Sequence, residues 1–430
     1  MEKTPGTPAK QKGKLFYGWI IVLCCTLLMA VGTGIFVNCI GIFVKPVCDE
    51  LGFDRGPFTL YTTITSVLSM LAMLVFGELY RKNPKRIRFY ITLGGLTGCL
   101  VFFGYSLSSK LWHFYVLAAV YGCVATTLAG ISVTTLVNNW FVDKRGFATG
   151  LAFAGSGVSA AIMTPVLSTI VADYGWRMGY RTMSLVSLLI LVPAVLLIRV
   201  SPADKGLLPY GVKPEAGDDA GENRAPVLEQ TGLTRAQAVK TPAFYFQIFG
   251  MLCLGIAGMG MSGHVIAYLT DIGYSPLTAS TAMSLVMTVM IFAKIFLGAA
   301  FDKIGPVPSA ILTGLCMLAS VVALRFAGVA SFMPYVFSLC FGFGYSTLTV
   351  PYSYLIGQNF GTREFAAIYS LATMVSGLGN AYAPSLSGTL YDAFGSYIGV
   401  WTLYIGVSVL ATISLTVAAK LSKDKGYNNM

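Results

Sequence analysis

Charged residues are scarce in this 430-residue chain. Only 11% of its residues are Asp, Glu, Lys or Arg, whereas 55% are hydrophobic and the mean hydropathy is +0.72. Soluble domains carry about 25% charged residues, so the composition excludes a chain of two or three soluble domains. Repeated apolar runs of about twenty residues instead predict helices that cross a lipid bilayer several times.

The sequence also lacks the residue patterns of most enzymes and metal proteins. It has two histidines, and its nine cysteines form no CxxC pair. Most of these cysteines lie within apolar runs, where cysteine behaves as a small apolar residue. GxSxG, HExxH and phosphate-loop motifs are also missing. We therefore expect no metal site, no cofactor and no enzyme activity.

Twelve spans are predicted from the apolar runs, with a marked charge asymmetry between their two sides. Of the 29 Lys and Arg residues, 22 lie on one side, six lie on the other, and Lys294 lies within a span. Cytoplasmic loops are enriched in Lys and Arg, so the net charge of +11 indicates orientation rather than nucleic-acid binding. We expect a multi-pass protein of the cell (cytoplasmic) membrane with both termini in the cytoplasm. The predicted spans are 16–40, 57–79, 89–107, 112–137, 147–172, 181–200, 242–269, 278–301, 308–327, 331–356, 365–390 and 397–419.

The chain divides into five predicted segments. Two of them hold six spans each, and the others are two polar tails and a linker. The composition of the linker is typical of a solvent-exposed chain, with a short helix predicted near Thr234–Val239. The segments are an N-terminal cytoplasmic tail (1–15), an N-terminal six-helix bundle (16–200), a cytoplasmic linker (201–241), a C-terminal six-helix bundle (242–419) and a cytoplasmic tail (420–430).

The two halves also repeat each other in sequence. Gly77 is matched by Gly298, Gly122 by Gly342, and Pro165 by Pro384, always at offsets of 219–221 residues. At offsets in the same range, Thr127-Leu128 is matched by Thr347-Leu348 and Phe141 by Phe360. A constant offset along four helices indicates two halves of like topology, related by an axis along the membrane normal. We predict an all-α polytopic membrane protein with twelve transmembrane helices in two pseudo-symmetric six-helix bundles.

Lys294 is the one charged residue deep within a predicted span. It precedes Asp302, where the helix re-enters water, by eight residues, which is about 12 Å at a rise of about 1.5 Å per residue. Helical side chains lean toward the helix N-terminus, which here means deeper into the membrane. A charge at such depth usually faces a cavity, so Lys294 is a candidate anion site. The alternative is a lysine that reaches the interface or pairs with backbone carbonyls.

The acidic residues strengthen this interpretation of Lys294. All 18 lie at or beyond the ends of the predicted spans, so none can serve as its counter-ion inside the membrane. An unpaired buried cation is unfavourable. A substrate carboxylate would neutralise it, and would also let a carrier reorient only when the charge is compensated.

Several motifs resemble the major facilitator superfamily over the whole chain. The turn from Gly77 to Arg86 and its copy at Gly298–Gly305 resemble the cytoplasmic signature of that superfamily, although the first copy has Arg81 in place of the expected acidic residue. The run NWFVDKRGFATG at 139–150, with Tyr17-Gly18-Trp19 and the linker sequence at 202–211, resembles the monocarboxylate porter and oxalate/formate exchanger branch.

The resemblance implies the major facilitator fold and a site in its centre. In that branch a basic residue of the eighth span binds the substrate carboxylate, and the matching position is Lys294. Animal monocarboxylate carriers place an aspartate one turn earlier, where this chain has Met290. Further polar residues of the cavity-forming spans are candidates for lining the site, although tyrosines in such helices often only pack: Asn38, Tyr61, Thr65, Thr127, His264, Tyr345, Tyr369 and Asn380. His264 is a candidate proton carrier or a structural histidine.

We therefore interpret the chain as a secondary active transporter of a mono- or dicarboxylate that works by alternating access. Proton symport is favoured over obligatory anion exchange because of His264, and an efflux carrier for neutral lipophilic compounds is a further alternative. Expected partners are the organic anion, protons as a candidate co-substrate, and the lipid bilayer, with no nucleic acid and a monomer as the working unit. The residues expected to gate the cytoplasmic side are Gly77, Arg81, Asp143, Lys144, Arg145, Gly298, Asp302, Lys303 and Gly305.

Overall fold

The computed structural model describes residues 16–212 and 231–427, and helices make up almost all of this part of the chain. The predicted N-terminal tail, the middle of the predicted linker and residues 428–430 lie outside the described residues. The twelve spans, in order, are Tyr17–Leu51, Arg55–Lys82, Ile87–Tyr105, Leu111–Gly122 with Gly130–Trp140, the joined fifth and sixth spans Arg145–Leu197, Pro242–Asp271, Pro276–Ile304, Pro306–Arg325, Met333–Ser346 with Val350–Phe360, Phe365–Phe394, and Tyr397–Lys425. Eight helices in the described part are long and apolar enough to cross a membrane.

The fifth and sixth spans meet at Gly175. Its φ of 81° lies in the left-handed region that favours glycine, and it separates two helices that otherwise run on without a loop. This break lies between the spans predicted at 147–172 and 181–200. The six-helix pattern of the first half is therefore preserved.

The first span is longer and less regular than predicted. An α-helix at Tyr17–Met29 becomes a π-helix at Ala30–Asn38, then a 3₁₀ turn, then a further α-helix at Val44–Leu51. The prediction ended at residue 40 because the last helix carries charged residues that hydropathy assigns to a loop. Long π-helices are rare and often mark functional positions.

The fourth and tenth spans are each interrupted near the middle, where the sequence predicted continuous helices. The interruptions follow Gly122 and Ser346 and contain Thr127 and Thr347 at equivalent positions of the repeat. The Thr127 hydroxyl donates to the Val124 carbonyl (2.8 Å), and Thr347 makes the same kind of local bond. Such bonds compete with the helical ladder. The predicted repeat is thus confirmed, although the prediction missed the break that both copies share.

Each half packs mainly on itself. In the first half, the first and third spans lie against the joined fifth and sixth spans, and the second lies against the fourth; in the second half, the seventh span lies against the eleventh and twelfth. Two larger contacts join the halves: the eighth span with the fifth, and the second with the eleventh. We call the end of the bundle that carries the linker the linker face, and the other end the distal face.

The described parts of the linker are attached to one half each. Tyr210 pairs with Phe141 in the loop between the fourth and fifth spans, and Gly232 pairs with Gly361 in the loop between the tenth and eleventh. The short predicted helix is present as one turn, Arg235–Ala238, whose N-terminus is capped by Thr234. The two loops that the linker contacts lie at equivalent positions in the repeat.

Candidate functional site

The fifth and eighth spans meet along a seam of glycines. A methyl group added at Gly146 would overlap the carbonyl of Gly298, and one added at Gly150 would overlap the carbonyl of Lys294. Farther from the linker face, Gly157 faces the side chain of Ile291. Small residues let helix backbones approach closely in a membrane. This seam places the backbone of Lys294, from the second half, directly against the first half.

The side chain of Lys294 is buried in this seam. It is 3% exposed, and its Nζ donates to the Ser156 Oγ (3.2 Å) and to the Phe153 carbonyl (3.4 Å). The side chain therefore runs from the level of Gly150 toward Ser156, away from the linker face, which is the direction that the lean of helical side chains predicts. Both acceptors belong to the other half of the protein.

The partners of Lys294 leave its charge uncompensated. Both are neutral oxygens, and none of the ion pairs formed within residues 16–212 and 231–427 includes Lys294. An ammonium group has three donors, and a buried cation without a counter-ion is costly. Pairing with a backbone carbonyl, the alternative considered from the sequence, is part of its surroundings. The arrangement as a whole favours an anion at Nζ.

The π-helix of the first span lies on the same face of the fifth span. Ser159, one turn after Ser156, donates through its hydroxyl to the Ala30 carbonyl at the start of the π-helix (2.7 Å). Gly34 of the π-helix packs against the backbone of Ser156 and the side chain of Ser159. Three spans, the first, fifth and eighth, thus meet around the lysine.

Sequence reasoning missed Phe153 and Ser156 as neighbours of Lys294. Ser156 lies in the run Gly155-Ser156-Gly157, whose glycines adapt the fifth span to the first and the eighth. The sequence signal for the contact with the eighth span is the pair Gly146 and Gly150, which lie one helical turn apart and so on the same side of the fifth span. Phe153 contacts the lysine through its backbone carbonyl, which no side-chain pattern reveals.

Apart from Asn38, the predicted site residues of the first half make their described contacts within that half. Tyr61 is fully buried in an aromatic cluster with Phe58 and Phe114. The Thr65 hydroxyl donates to the Tyr61 carbonyl (3.1 Å) and also lies 3.3 Å from the Ala118 carbonyl. The Thr127 hydroxyl donates to the Val124 carbonyl, as described above. No described contact brings any of these three to Lys294.

Asn38 ends the π-helix of the first span, and its side chain is exposed. It lies on the span that packs beside Ser156 and Ser159. Asn38 therefore belongs to the π-helix that packs against the site, but it has no described side-chain contact with Lys294.

His264 of the seventh span is held by two groups of the second half. Its Nδ1 lies 2.9 Å from the Tyr397 hydroxyl, and its Nε2 lies 2.8 Å from the Pro384 carbonyl. The carbonyl can only accept, so Nε2 carries the proton in this arrangement and Nδ1 accepts from Tyr397. Both ring nitrogens have partners, as a structural histidine would.

Three further candidates lie on the second half. The Tyr345 hydroxyl donates to the Met259 sulfur (3.1 Å), and the Asn380 Oδ1 is buried against Gly255 without a hydrogen-bond partner among the described residues. Tyr369 is the one that reaches the other half, because its hydroxyl lies against Gly130 of the fourth span. Tyr369 thus lies where the eleventh span contacts the first half, and Lys294 lies where the eighth span contacts it.

The linker face is closed by Asp302 on one side of the bundle. The backbone N–H groups of Gly146 and Phe147, at the N-terminus of the fifth span, donate to its two carboxylate oxygens (2.7 and 2.8 Å). The positive end of a helix stabilises a carboxylate. Arg145 lies beside this contact and reaches Gly357 of the tenth span.

On the other side of the bundle the equivalent contact has a different chemistry. Gly77 packs against Ala366 and Ser370 of the eleventh span, as Gly298 packs against Gly146. Arg81, which occupies the position equivalent to Asp302, forms an ion pair with Glu364 (3.2 Å).

The remaining gating candidates play smaller parts in this closure. Asp143, Lys144 and Lys303 are exposed, and none of them takes part in an ion pair within the described residues. Lys144 instead lies over the ring of Tyr210 in the linker, 5.6 Å from its centroid. Gly305 ends the eighth span with a φ of 77°. These turns were expected to close the face by ion pairs and by helix-end contacts, and within the described residues the helix-end contact is the one that Asp302 makes.

Comparison with known proteins gives a consistent result. The family model described as Major Facilitator Superfamily matches residues 22–384. MFS-type transporter 1 of Ophiocordyceps sp. (strain BCC 1869) is 24% identical, covering 96% of this chain and 88% of the relative. Monocarboxylate transporter 13 of Rattus norvegicus is 22% identical, covering 92% and 89%.

A solved transporter structure has a similar fold. The crystal structure of the E. coli fucose:proton symporter superimposes with a TM-score of 0.68 and 12% sequence identity. The superposition covers 94% of this chain and 99% of the symporter. At this identity the likeness concerns the fold alone.

Proposed function

Because the chain belongs to the Major Facilitator Superfamily, and is thus a membrane transporter rather than an enzyme, we propose that it carries a small organic anion. The proposed substrate class is a mono- or dicarboxylate, and Lys294 is its anchor. The single observation that carries this proposal is the buried ammonium of Lys294, whose described partners are two neutral oxygens of the opposite half. The monocarboxylate transporters among the relatives support the substrate class.

The position of Lys294 also supports a mechanism of alternating access. The lysine belongs to the second half and its hydrogen-bond acceptors belong to the first, so any rocking of one half against the other changes its surroundings. A site at the contact between repeats, about midway through the bundle, is typical of transporters built from repeats. We place the linker face in the cytoplasm, because the span prediction assigns most Lys and Arg residues of the sequence to that side.

Gating in this proposal uses the two contacts at the linker face. Asp302 joins the eighth span to the N-terminus of the fifth, and Arg81 joins the second span to Glu364. Both contacts must break before the halves can separate there. An anion at Lys294 would favour the change by compensating a charge that otherwise has to move through an apolar interface.

For coupling we propose symport of one anion with one proton. All acidic residues of the sequence lie at or beyond the ends of the predicted spans, so in this proposal the proton rides on the substrate, on His264 or on Lys294. The competing mechanism is obligatory exchange, in which Lys294 stays charged and the carrier reorients only with an anion bound. A carrier of neutral lipophilic compounds would gain nothing from a buried lysine.

Uptake into proteoliposomes tests the anchor. The probes are labelled acetate, lactate, pyruvate, oxalate and succinate, each with and without a pH gradient. Lys294→Gln should abolish uptake of every probe that the unchanged protein carries, and Lys294→Arg should retain part of it with altered selectivity, because a guanidinium fork differs from a point charge. Lys420→Gln, an exposed lysine of the twelfth span, is the matched control. Uptake by Lys294→Gln at the native rate would show that the anchor is wrong.

A further inference from the structure

We propose that Ser156 is a second substrate-binding residue, which determines specificity by donating its hydroxyl to the carboxylate that Lys294 holds. The inference rests on the proposed function and adds to it a residue of the opposite half. Ser156 is 2% exposed, and its Oγ is the nearer of the two acceptors of the Lys294 ammonium. It was not among the residues that the sequence pointed to.

The three polar atoms of the site form a triangle. The Ser156 hydroxyl donates to the Phe153 carbonyl (2.8 Å), and its Oγ accepts from the Lys294 Nζ (3.2 Å), which also lies 3.4 Å from the same carbonyl. A serine hydroxyl has one hydrogen to donate and can accept at its lone pairs. In this arrangement the serine serves as an acceptor for the lysine.

A carboxylate at Nζ reverses the role of the serine. Carboxylate oxygens are stronger acceptors for an ammonium than a hydroxyl is, so Nζ turns to the anion and no longer needs the Ser156 Oγ. The hydroxyl can then rotate from the Phe153 carbonyl to the second carboxylate oxygen. That carbonyl, inside a continuous helix, still accepts a backbone N–H from the following turn. The two donors converge on one carboxylate from opposite halves of the protein.

The surroundings hold Ser156 in place for this role. Gly155 packs against the backbone of Thr26 in the first span, and Gly157 packs against Ile291 in the eighth. The serine therefore lies at the junction of three helices, and its backbone is held by close contacts on both sides. A donor held in this way favours a carboxylate over an amide or alcohol of the same size, because the carboxylate offers two charged acceptor oxygens and compensates the ammonium.

Ser159 provides the matched control on the same helix. It is also a buried serine, one turn from Ser156, but its hydroxyl donates to the Ala30 carbonyl of the first span rather than facing the lysine. Removing its hydroxyl disturbs helix packing and leaves the proposed pair of donors intact. Ser156→Thr keeps the hydroxyl and serves as the conservative variant, while Ser156→Ala and Ser156→Cys remove or weaken the donor.

The experiment measures binding of acetate, lactate, pyruvate, oxalate and succinate to the purified full-length protein, with lactamide as the neutral probe. Ser156→Ala and Ser156→Cys should weaken binding of the carboxylates about 10- to 100-fold, the effect of losing one hydrogen bond to a charged group. Ser156→Thr should retain most of the affinity. Ser159→Ala should bind like the unchanged protein, and thermal stability measured without anion separates a folding defect from a binding defect.

The outcomes separate this inference from the proposed function. If Lys294→Gln abolishes binding while both Ser156→Ala and Ser156→Cys bind as the unchanged protein does, Lys294 remains the anchor and the role of Ser156 is wrong. Equal losses in Ser156→Ala and Ser159→Ala would also contradict it, because both effects would then come from packing. If the unchanged protein binds none of the carboxylates, or Lys294→Gln binds them normally, the proposed function fails and the role of Ser156 fails with it.

Discussion

Arg81 and Glu364 form an ion pair between the two halves of the protein, with 3.2 Å between Nη1 and Oε1. At the equivalent position of the repeat, Asp302 binds the N-terminus of the fifth span. The first copy of the motif thus has a basic residue where the second has an acidic one, and an acidic residue just before the eleventh span supplies the missing charge. Glu364 also accepts from the backbone N–H of Arg235 in the linker (2.8 Å), so one carboxylate holds both the second span and the linker helix.

We predict that exchanging the charges of Arg81 and Glu364 restores the closure of the linker face that each single substitution weakens. Arg81→Glu or Glu364→Arg should raise the rate at which a cysteine at Thr373, which contacts Met73 across the halves (2.9 Å), is labelled from the linker face. The increase should be about two- to fivefold, because partly exposed ion pairs contribute up to about 1 kcal/mol. The double variant should return toward the original rate.

Lys82→Glu is the control for this swap, since Lys82 contacts Glu78 of its own helix (3.5 Å). It should leave the labelling rate nearly unchanged. If the double variant is labelled as fast as the single ones, Arg81 and Glu364 act through their separate surroundings, and the pair itself does not hold the face closed.

Asp302 should contribute more to closure than the Arg81 pair does. Asp302→Asn removes the charge that two backbone N–H groups of the fifth span share. Hydrogen bonds to a charged group are worth about 1.5–3 kcal/mol each, so labelling at Thr373→Cys should rise about tenfold or more. Lys303→Gln, an exposed neighbour, is the control. A labelling rate unchanged by Asp302→Asn would leave the signature turn with a role in topology alone.

The glycine seam predicts an unusually high cost for one methyl group. Gly298→Ala places a methyl against the backbone of Gly146, where the helices cannot separate without losing the contact of Lys294 with Ser156. We expect lower thermal stability and faster labelling at the linker face. Gly406→Ala in the twelfth span meets no atom within 4 Å and should stabilise the protein by up to about 1 kcal/mol, because alanine favours helix over glycine. Equal melting temperatures for the two variants would argue against a tight seam.

The coupling mechanism predicts opposite results in two uptake experiments. Under symport, a proton gradient alone should drive accumulation of a carboxylate into vesicles that contain none. Under obligatory exchange, such vesicles should take up almost nothing until they are preloaded. His264→Gln should abolish the proton-driven accumulation and retain exchange if the histidine carries the proton. It should change stability without uncoupling if its bonds to Tyr397 and Pro384 are structural.

Much of the architecture could be predicted from the sequence because its causes are local. Apolar runs determined the number of spans, and the asymmetry of Lys and Arg gives an orientation that stays a prediction. The spacing of Gly77 and Gly298 predicted the internal repeat, which the shared interruptions at Thr127 and Thr347 confirm. The depth of Lys294 and the lack of acidic residues in the middle of the predicted spans are likewise local properties, and both can be read from the sequence.

Only the tertiary structure decided what Lys294 and Arg81 touch. Ser156 lies 138 residues before Lys294, and Glu364 lies 283 residues after Arg81. Helix periodicity gives the face on which a residue lies but not the span that packs against that face. Several polar candidates contact neighbours within one half: Thr65 bonds to a backbone carbonyl of its own helix, and Tyr61 packs in an aromatic cluster. Buried polar groups find partners wherever packing offers them, and that packing is set by the whole bundle, through close approaches such as the one between Gly150 and Lys294.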